Sequence, residues 1–381
     1  MSVALIATTE TSWVSVARMP SALRAAGFKV AVVAPPDALV LHSSHLDYVA
    51  RLNAQCSAEQ WLYNVQRMAE HTSARIILPG DDRAFRLLAS RVLESGAAGA
   101  AGAKAPPDAF SALIAESCGN PAHYLESVDK LALPDAAARL GVAMPSHEVV
   151  SSIDAARNAA ARLGFPLLVK RQFGAGGTGV RTVADEATLL TMVSEWLRPT
   201  PDLFGPMRQA VLMQQAVPGQ NVYYAVAAWR GKLLAGWAAQ KLAEHPKNGP
   251  GTVSRSHRSD AVRQMTARIV EGLDMSGVFG CEFIVPENGA APVLIEINRR
   301  IAPSSCRGRM VKVDLLGALH AALRGEAFTG RTDFDVGEEH ISVFFPQELA
   351  RDPASEYMRK YPVEVPWDDP ALALVLFESV M

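Results

Sequence analysis

The amino-terminal part of the chain alternates apolar segments with helical segments, and this alternation restricts the fold more than any other feature. Apolar runs occur at 3–8, 28–35 and 75–82. Between the first two, residues 15–26 have the pattern of a helix that Gly27 ends. Parallel strands need crossover connections of this kind, whereas tight turns join antiparallel strands. We therefore expect a small open α/β domain with a parallel sheet.

Composition narrows the class of protein. The 381 residues suggest two or three domains at roughly 100–200 residues each. The formal net charge of -2 gives no strong attraction to nucleic acid or to an anionic membrane. No apolar run approaches the roughly 20 residues of a membrane span, and the first residues do not have the pattern of a signal peptide. The four cysteines show no CxxC spacing, and a cytoplasmic location is expected.

The remainder of the chain is rich in strand patterns. Segments 211–217, 222–229 and 232–239 follow one another closely, and we expect them to be successive antiparallel strands. Two further strand segments, 278–285 and 291–298, are separated by a turn sequence. The dinucleotide-binding pattern Gly-x-Gly-x-x-Gly does not follow the first apolar run, which argues against a dinucleotide site there.

A glycine-rich segment follows a strand that ends in a lysine. Residues 165–180 read FPLLVKRQFGAGGTGV, with Lys170 at the end of the strand. Glycines allow several backbone N–H groups to approach one phosphate, and Lys170 would add a positive charge. No Gly-Lys-Ser/Thr sequence ends the loop, so it is not a Walker loop. A flexible hairpin turn is the alternative interpretation.

Two strand segments carry acidic residues among apolar neighbours. Alternation places Glu296 and Asn298 on one face of a strand, and Glu282 lies beside them if the two strands pair. Two carboxylates and an amide oxygen suit a Mg²⁺ ion that bridges nucleotide phosphates. Alternatively, Glu296 is a paired surface carboxylate, although an unpaired charge between apolar residues would be costly.

Basic residues accompany these segments. Arg300 follows Asn298 at the strand end, where a guanidinium could hold a substrate carboxylate or an acyl phosphate. The alternative is a solvated basic cluster that also contains Arg299, Arg307 and Arg309. Lys130 precedes a helical segment and carries no functional signal when it is considered alone.

Taken in their order along the chain, these segments resemble the motifs of the ATP-grasp superfamily. The matching pieces are Lys130 with GVAMP at 141–145, Lys170, GAGGTG at 174–179, QQAVPG at 214–219, Glu282, and EINRR at 296–300. The resemblance covers about residues 120–310. It implies an α/β protein with an ATP-grasp fold and an amino-terminal open parallel α/β domain, the pre-ATP-grasp domain.

The resemblance also implies roles for individual residues. Those that would bind ATP are Lys130, Lys170, Gly174, Gly176, Gly177, Thr178, Gly179, Gln214, Gln215, Ala216, Val217 and Asn221. Those that would hold Mg²⁺, or Mn²⁺ in its place, are Glu282, Glu296 and Asn298. Lys170 and Arg300 would act in catalysis, with Arg300 on the substrate carboxylate or the acyl phosphate. The loop at 174–179 would close over the phosphates as a lid.

Three positions depart from the family pattern. Gln215 replaces the hinge acid, although its backbone carbonyl can still face adenine. Asn221 stands where a ribose-binding glutamate is usual, so the bond to ribose would lack charge assistance. Pro303 interrupts the small-residue run after Arg300 and has no N–H to offer a carboxylate. The acceptor side of the site is therefore expected to be unusual.

The activity implied is that of an ATP- and magnesium-dependent ligase, which joins a small-molecule carboxylate to an amine such as an amino acid and releases ADP and phosphate. The sequence is closer to L-amino-acid ligases and to carboxylate–amine ligases like carbamoyl-phosphate synthetase. It lacks the His-Cys-Glu signature of biotin carboxylases and the His-Gly-x-x-Gly-Glu segment of D-alanine–D-alanine ligases. A phosphotransferase of the same fold and an ATP-binding protein without ligase activity are the alternatives.

Four regions are expected along the chain. They are the pre-ATP-grasp domain at 1–118, a central part with the glycine-rich lid at 119–215, a carboxyl-terminal ATP-grasp part with the metal site at 216–330, and an extension of unassigned role at 331–381. The sequence does not identify the two substrates, and a homodimer is compatible with it.

Overall fold

The computed structural model describes most of the chain. The described residues are 2–98, 107–174, 179–199, 201–202, 205–246, 249–308 and 310–380. Within them, two four-stranded sheets and one seven-stranded sheet follow one another along the chain. No helix among the described residues is long and apolar enough to cross a membrane.

The amino-terminal sheet is parallel, which confirms the expected open α/β domain. Its strands, in the spatial order β3-β2-β1-β4, are β1 (Val3–Ala7), β2 (Lys29–Ala34), β3 (Tyr48–Arg51) and β4 (Ile76–Pro79). The chain continues from β1 to β2 on one side, while β4 pairs with β1 on the other. The carboxyl ends of β1 and β4 therefore form a topological switch point, where open α/β sheets bind ligands.

Among the described residues, five α-helices belong to this domain. They are α1 (Val14–Ala17), α2 (Met19–Ala25), α3 (Ala58–Thr72), α4 (Asp82–Ala98) and α5 (Ala109–Cys118). The prediction of a single helix over 15–26 is wrong, because the segment forms two short helices that meet at Arg18. Pro20 lies in the first turn of α2, and a proline has no N–H with which to continue the hydrogen bonds of α1.

Two short helices, α6 (Tyr124–Val128) and α7 (Leu133–Arg139), precede an antiparallel sheet. Its spatial order is β5-β10-β6-β7, formed by β5 (His147–Val150), β6 (Leu167–Lys170), β7 (Val180–Val183) and β10 (Val211–Gln215). The helices α8 (Ile153–Leu163) and α9 (Glu186–Trp196) pack against one face of this sheet. A small separate pair consists of β8 (Pro201–Asp202) and β9 (Gly205–Pro206).

The prediction of three successive antiparallel strands is wrong for the first of them, β10. β10 pairs with β5 and β6, not with the next strand along the chain. Val211 and Met213 of β10 are buried in the core of the second sheet. A period of two identifies a strand, but it does not identify the strand's partner.

The seven-stranded sheet has the order β15-β14-β11-β12-β13-β16-β17. Its strands are β11 (Gln220–Trp229), β12 (Lys232–Glu244), β13 (Gly251–His257), β14 (Gly277–Val285), β15 (Val293–Asn298), β16 (Glu339–Phe344) and β17 (Val363–Glu364). The associated helices are α10 (Asp260–Gly272), α11 (Leu315–Arg324), α12 (Gln347–Arg351), α13 (Glu356–Lys360) and α14 (Pro370–Glu378). Residues after 330 thus extend this sheet, and Leu372 and Leu376 of α14 pack in the core of the amino-terminal domain.

One face of the seven-stranded sheet is apolar and packs against α7 and α10. The opposite face carries Tyr223, Glu282 and Glu296 in one row across β11, β14 and β15. The ring of Tyr223 extends over Gly280, which has no side chain. This glycine therefore leaves space for the bulky Tyr223 side chain on this face.

We expect Gly280→Ala to destabilise the protein. An added Cβ would lie 1.6 Å from the Tyr223 hydroxyl oxygen and 1.8 Å from the adjoining ring carbon. Overpacking of this kind costs about 1–3 kcal/mol, which denaturant unfolding would measure. Combining Gly280→Ala with Tyr223→Ala removes the clash, so the double variant should lose less stability than the two single variants predict by addition. An additive result would contradict this account.

Candidate functional site

Two carboxylates face each other on the face of the seven-stranded sheet that carries Tyr223. Glu282 on β14 lies opposite Glu296 on β15, and Asn298 Nδ2 donates a 2.9 Å hydrogen bond to Glu282 Oε1. Burial, followed by the charge of Glu296, raises the pKa of the Glu282 carboxyl group. A divalent cation near both carboxylates would offset this repulsion, and such oxygen donors suit Mg²⁺. The residues therefore fit the metal that the sequence predicts.

Mg²⁺ is usually held by one or two carboxylates together with water and substrate phosphates. Across the described residues, no group of three or more His, Cys, Asp and Glu side chains is placed to hold a metal. The other ligands of a Mg²⁺ ion at Glu282 and Glu296 would thus be oxygens of other kinds, including those of a nucleotide.

Both lysines singled out in the sequence approach this carboxylate pair. Lys130 Nζ lies 2.8 Å from Glu296 Oε1 and donates a 2.9 Å hydrogen bond to the carbonyl of Gly174. Lys170 Nζ donates a hydrogen bond to the carbonyl of Ile295 at 3.2 Å. Burial lowers the pKa of Lys170 to about 8, although Glu296 opposes this shift. The two lysines therefore bring positive charge to the carboxylates, as a site for a phosphate chain and its cation requires.

Arg300 links the carboxylate pair to the amino-terminal domain. Its Nε donates a hydrogen bond to Asp82 Oδ2 at 2.9 Å, and its Nη2 donates one to Asn298 Oδ1 at 3.2 Å. The guanidinium carbon lies 4.5 Å from the centre of the Trp13 ring. Burial acts to lower the pKa of Arg300, but the charge and hydrogen bond of Asp82 outweigh burial and raise it. Arg300 therefore remains charged in its half-buried position.

The alternative of a solvated basic cluster around Arg300 is wrong for two of its members. Arg299 and Arg307 are each only 4% exposed. Arg299 lies over two aromatic rings, and Arg307 forms an ion pair with Glu364. Arg309 lies outside the described residues. Arg299 and Arg307 thus have structural partners that differ from those of Arg300.

The glycine-rich loop is described at its two ends. The carbonyl of Gly174 accepts the hydrogen bond from Lys130, and the carbonyl of Gly179 accepts one from the N–H of Arg171 at 2.9 Å. The predicted phosphate contacts of Gly176, Gly177 and Thr178, and with them the predicted lid, lie outside the described residues. The hydrogen bond to the carbonyl of Gly174 brings the start of the loop next to Lys130.

The predicted adenine hinge connects the second sheet to the third. Gln214 on β10 is fully buried, and neither of its amide atoms has a hydrogen-bond partner among the described residues. Strand pairing places it on the same sheet face as Lys170. An amide can pair with the donor and acceptor edge of adenine, so this buried unpaired amide fits the predicted adenine end. Gln215 is exposed, and its N–H donates a hydrogen bond to the carbonyl of Ser146 at 2.8 Å.

The rest of the hinge leads into β11. Ala216 and Val217 lie in the connection between β10 and β11, and the N–H of Ala216 donates a 3.3 Å hydrogen bond to the carbonyl of Pro166. Asn221 belongs to β11, and its Oδ1 is buried without a partner among the described residues. The structure thus contains an unpaired buried amide at Gln214 and an unpaired buried amide oxygen at Asn221, in the region where the sequence predicts the nucleoside.

Comparison with known proteins is consistent with this arrangement. Residues 129–223 match the family described as "Carbamoyl-phosphate synthase L chain, ATP binding domain". The structure is similar to biotin carboxylase from Campylobacter jejuni, solved as a β-γ-ATP complex, with a TM-score of 0.65 and 18% identity. That similarity covers 89% of this chain and 74% of the other. The chain has the ATP-grasp fold.

Other proteins share the ATP-grasp fold with this chain at low identity. L-amino acid ligase from Bacillus licheniformis has a TM-score of 0.56 and 15% identity, over 85% of this chain and 74% of the ligase. In sequence, the carbamoyl phosphate synthase large chain of Thermus thermophilus is 24% identical over 184 residues, which are 46% of this chain and 18% of the relative. The chain thus spans less than a fifth of the length of the curated relatives that it matches.

The amino-terminal domain contributes residues next to the carboxylate pair, and the sequence did not predict this contribution. A cavity of about 190 Å³ lies between this domain and the carboxylate pair. Its polar and aromatic lining residues are Glu10, Trp13, Asp82, Arg83, Arg86, Lys130, Phe173 and Glu296. Glu10 follows β1 and Asp82 follows β4, so both lie at the switch point of the first sheet. The polar residues at 8–10 and 81–82, which come just after two apolar strands, were the available signal.

Lys170→Met is expected to weaken ATP binding. The substitution keeps the apolar stem and removes a charged phosphate contact worth about 1.5–3 kcal/mol, which is roughly 10- to 150-fold in affinity. The wild-type lysine is charged below a pKa of about 8, so the affinity of the wild type should fall as the pH rises above that value. The variant should lack this decline, because it has no group that titrates at this position.

Calorimetric titration with ATP across pH 6.5–9.5 would measure both effects, and circular dichroism would verify the fold. Lys232 lies exposed at the start of β12, so Lys232→Met is a matched control with unchanged binding. Equal ATP affinity in the Lys170→Met variant and the wild type would remove Lys170 from the phosphate site.

Proposed function

We propose that the protein is an ATP- and magnesium-dependent ligase that activates a carboxylate as an acyl phosphate and joins it to an amine, releasing ADP and phosphate. The observation that carries this proposal is the convergence of Lys130 and Lys170 on the opposed carboxylates Glu282 and Glu296. Lysines are suited to the phosphate oxygens of a nucleotide, and carboxylates are suited to the cation that accompanies it.

The residues can be assigned to the steps of this reaction. A carboxylate is a poor electrophile, since its leaving group would be oxide, and phosphorylation replaces that leaving group with phosphate. Lys130 and Lys170 would hold the phosphates and offset the charge that spreads over the transferred phosphoryl group. Arg300 would hold the incoming carboxylate in line with the phosphate. Glu282, Glu296 and Asn298 would hold Mg²⁺, and the bound ion would neutralise further negative charge on the phosphates.

The known ligands and activities of similar proteins support the choice of cofactors and of chemistry. The biotin carboxylase domain of the 2-oxoglutarate carboxylase from Hydrogenobacter thermophilus was solved with MgADP and bicarbonate. The protein from Bacillus licheniformis is named as a ligase of amino acids. For the present chain, these names support a nucleotide with Mg²⁺ and a ligase reaction of a small carboxylate.

The proposal is tested by supplying Mg·ATP with a panel of amino acids and small organic acids, in the presence of hydroxylamine. Hydroxylamine traps an acyl phosphate as a hydroxamate, so the activation step is detected without knowledge of the natural amine. We expect hydroxamate, ADP and phosphate in equal amounts with at least one carboxylate. Omitting hydroxylamine and adding amines in turn should then give an amide.

Other products would point elsewhere. ADP together with a stable phosphorylated product that hydroxylamine does not consume would indicate a phosphotransferase. ATP binding without ADP formation from any carboxylate would indicate a nucleotide-binding protein and would overturn the ligase proposal. The Glu296→Gln variant, prepared in the same way, controls for contaminating ATPases.

A further inference from the structure

The cavity between the amino-terminal domain and the carboxylate pair contains charged groups that the proposed activation step does not use. Asp82 and Glu296 are each ion-paired with a cationic side chain. In contrast, neither the carboxylate of Glu10 nor the guanidinium of Arg83 forms an ion pair with another described residue, although both line the cavity. One anion and one cation are therefore available to a ligand.

The position of Glu10 is fixed by its backbone. Its N–H donates hydrogen bonds to Thr8 Oγ1 at 3.1 Å and to Asp81 Oδ2 at 3.2 Å. Asp81 is 1% exposed and also accepts hydrogen bonds from the N–H and the hydroxyl of Thr9. The buried Asp81 thus joins the loops after β1 and β4, while the side chain of Glu10 lines the cavity.

The surroundings of Glu10 favour a cation. Burial raises the pKa of the Glu10 carboxyl group, and repulsion from Asp81 and Asp82 raises it further, although the positive charges of Arg83 and Arg300 oppose the shift. A positively charged ligand group beside Glu10 would lessen this repulsion. Arg83, which lines the same cavity, would suit a carboxylate on the same ligand.

On the basis of the proposed ligase function, we propose that this cavity binds the amine substrate, and that this substrate is an amino acid whose ammonium group contacts Glu10 and whose carboxylate contacts Arg83. Sites for drug-sized ligands typically enclose about 300–1,000 Å³. A cavity of about 190 Å³ therefore suits a molecule of amino-acid size. Because Glu296 and Lys130 also line it, the amine would lie next to the place where the acyl phosphate forms.

Glu10 also has a chemical role in this arrangement. An ammonium group has no lone pair and must lose a proton before it can attack, and Glu10 would accept that proton as the general base. The neutral amine then forms a bond to the acyl carbon. The bond from that carbon to the phosphate oxygen breaks, phosphate leaves with its electron pair, and the nitrogen releases its second proton to solvent. A carboxylate with a raised pKa is a stronger base than an ordinary one.

The test compares two fates of the same acyl phosphate. Hydroxylamine is mostly uncharged at neutral pH and needs no base to remove a proton, whereas L-alanine, the acceptor probe, carries an ammonium group. We expect Glu10→Gln to lower the ratio of amide to hydroxamate by roughly tenfold or more and to raise the KM for L-alanine. Glu10→Asp, which keeps the charge on a shorter stem, should restore part of the ratio. Glu94→Gln, at an exposed position of α4, serves as the control.

The carboxylate contact is tested with a matched pair of amines. Ethylamine has the skeleton of alanine without its carboxylate, so the wild type should prefer L-alanine. Arg83→Met should remove most of this preference, because the variant can no longer bind the carboxylate.

The experiments distinguish failure of the ligase function from failure of the acceptor-site assignments. If the wild type forms no hydroxamate from any carboxylate, the ligase function fails and the acceptor site fails with it. If the wild type forms hydroxamate and amide, but Glu10→Gln leaves their ratio unchanged, the ligase function stands and the assignment of Glu10 is overturned. If Arg83→Met keeps the preference for L-alanine over ethylamine, the substrate class is overturned.

Discussion

Glu296→Gln is expected to abolish Mg²⁺-dependent turnover while the fold remains intact. The amide has nearly the shape of the carboxylate and can still accept the hydrogen bond from Lys130, but it lacks the charge that a hard cation requires. Metal ions contribute several kcal/mol to such reactions, so we expect a loss of roughly a hundredfold or more. Turnover measured against Mg²⁺ concentration, with hydroxamate as the product, would show this loss.

A binding measurement separates the metal role from a general defect. Calorimetry should show weaker binding of Mg·ATP by the Glu296→Gln variant, with little change for ATP in the presence of a chelator. Glu287 is exposed in the turn between β14 and β15, so Glu287→Gln provides a control on the same hairpin. Wild-type turnover by Glu296→Gln at limiting Mg²⁺ would show that the metal is held elsewhere.

Much of the fold follows from local sequence patterns. The parallel sheet of the amino-terminal domain was predictable because apolar strands alternate with helical segments. The partner of β10 was not predictable, since a strand pattern contains no information about which neighbour it pairs with. The break between α1 and α2 had a visible cause in Pro20, which the helical pattern around it concealed.

The contacts of the candidate site also divide into those that local sequence patterns predict and those that only the packing of distant segments creates. Glu282, Glu296 and Asn298 lie on consecutive strands, so strand alternation was enough to bring them together. The contact of Arg300 with Asp82 joins residues that are 218 positions apart. It depends on the packing of the first domain against the third sheet, which no local pattern specifies. For the same reason, the contribution of Glu10 to the cavity became visible only in the structure.

Arg300→Met is expected to leave ATP binding nearly normal and to reduce turnover by roughly a hundredfold or more, as removal of a single electrostatic stabiliser does. Methionine keeps an apolar stem for packing against Trp13 but removes the charge near Glu282. The guanidinium is expected to act on the carboxylate and the acyl phosphate, so its effect should appear in the transition state more than in the binding of ATP. Calorimetry with ATP and the rate of hydroxamate formation measure the two quantities separately.

The structure gives Arg300 a second role, which the controls must separate from the first. Because Arg300 donates a hydrogen bond to Asp82, its removal also loosens a link between the first domain and the third sheet. Asp82→Asn weakens that link but keeps the charge of Arg300, so it should retain most of the turnover if the charge is what matters. Arg268 is exposed on α10, and Arg268→Met should behave as the wild type. If Asp82→Asn loses as much turnover as Arg300→Met, Arg300 acts by positioning the domains, and another group holds the substrate carboxylate.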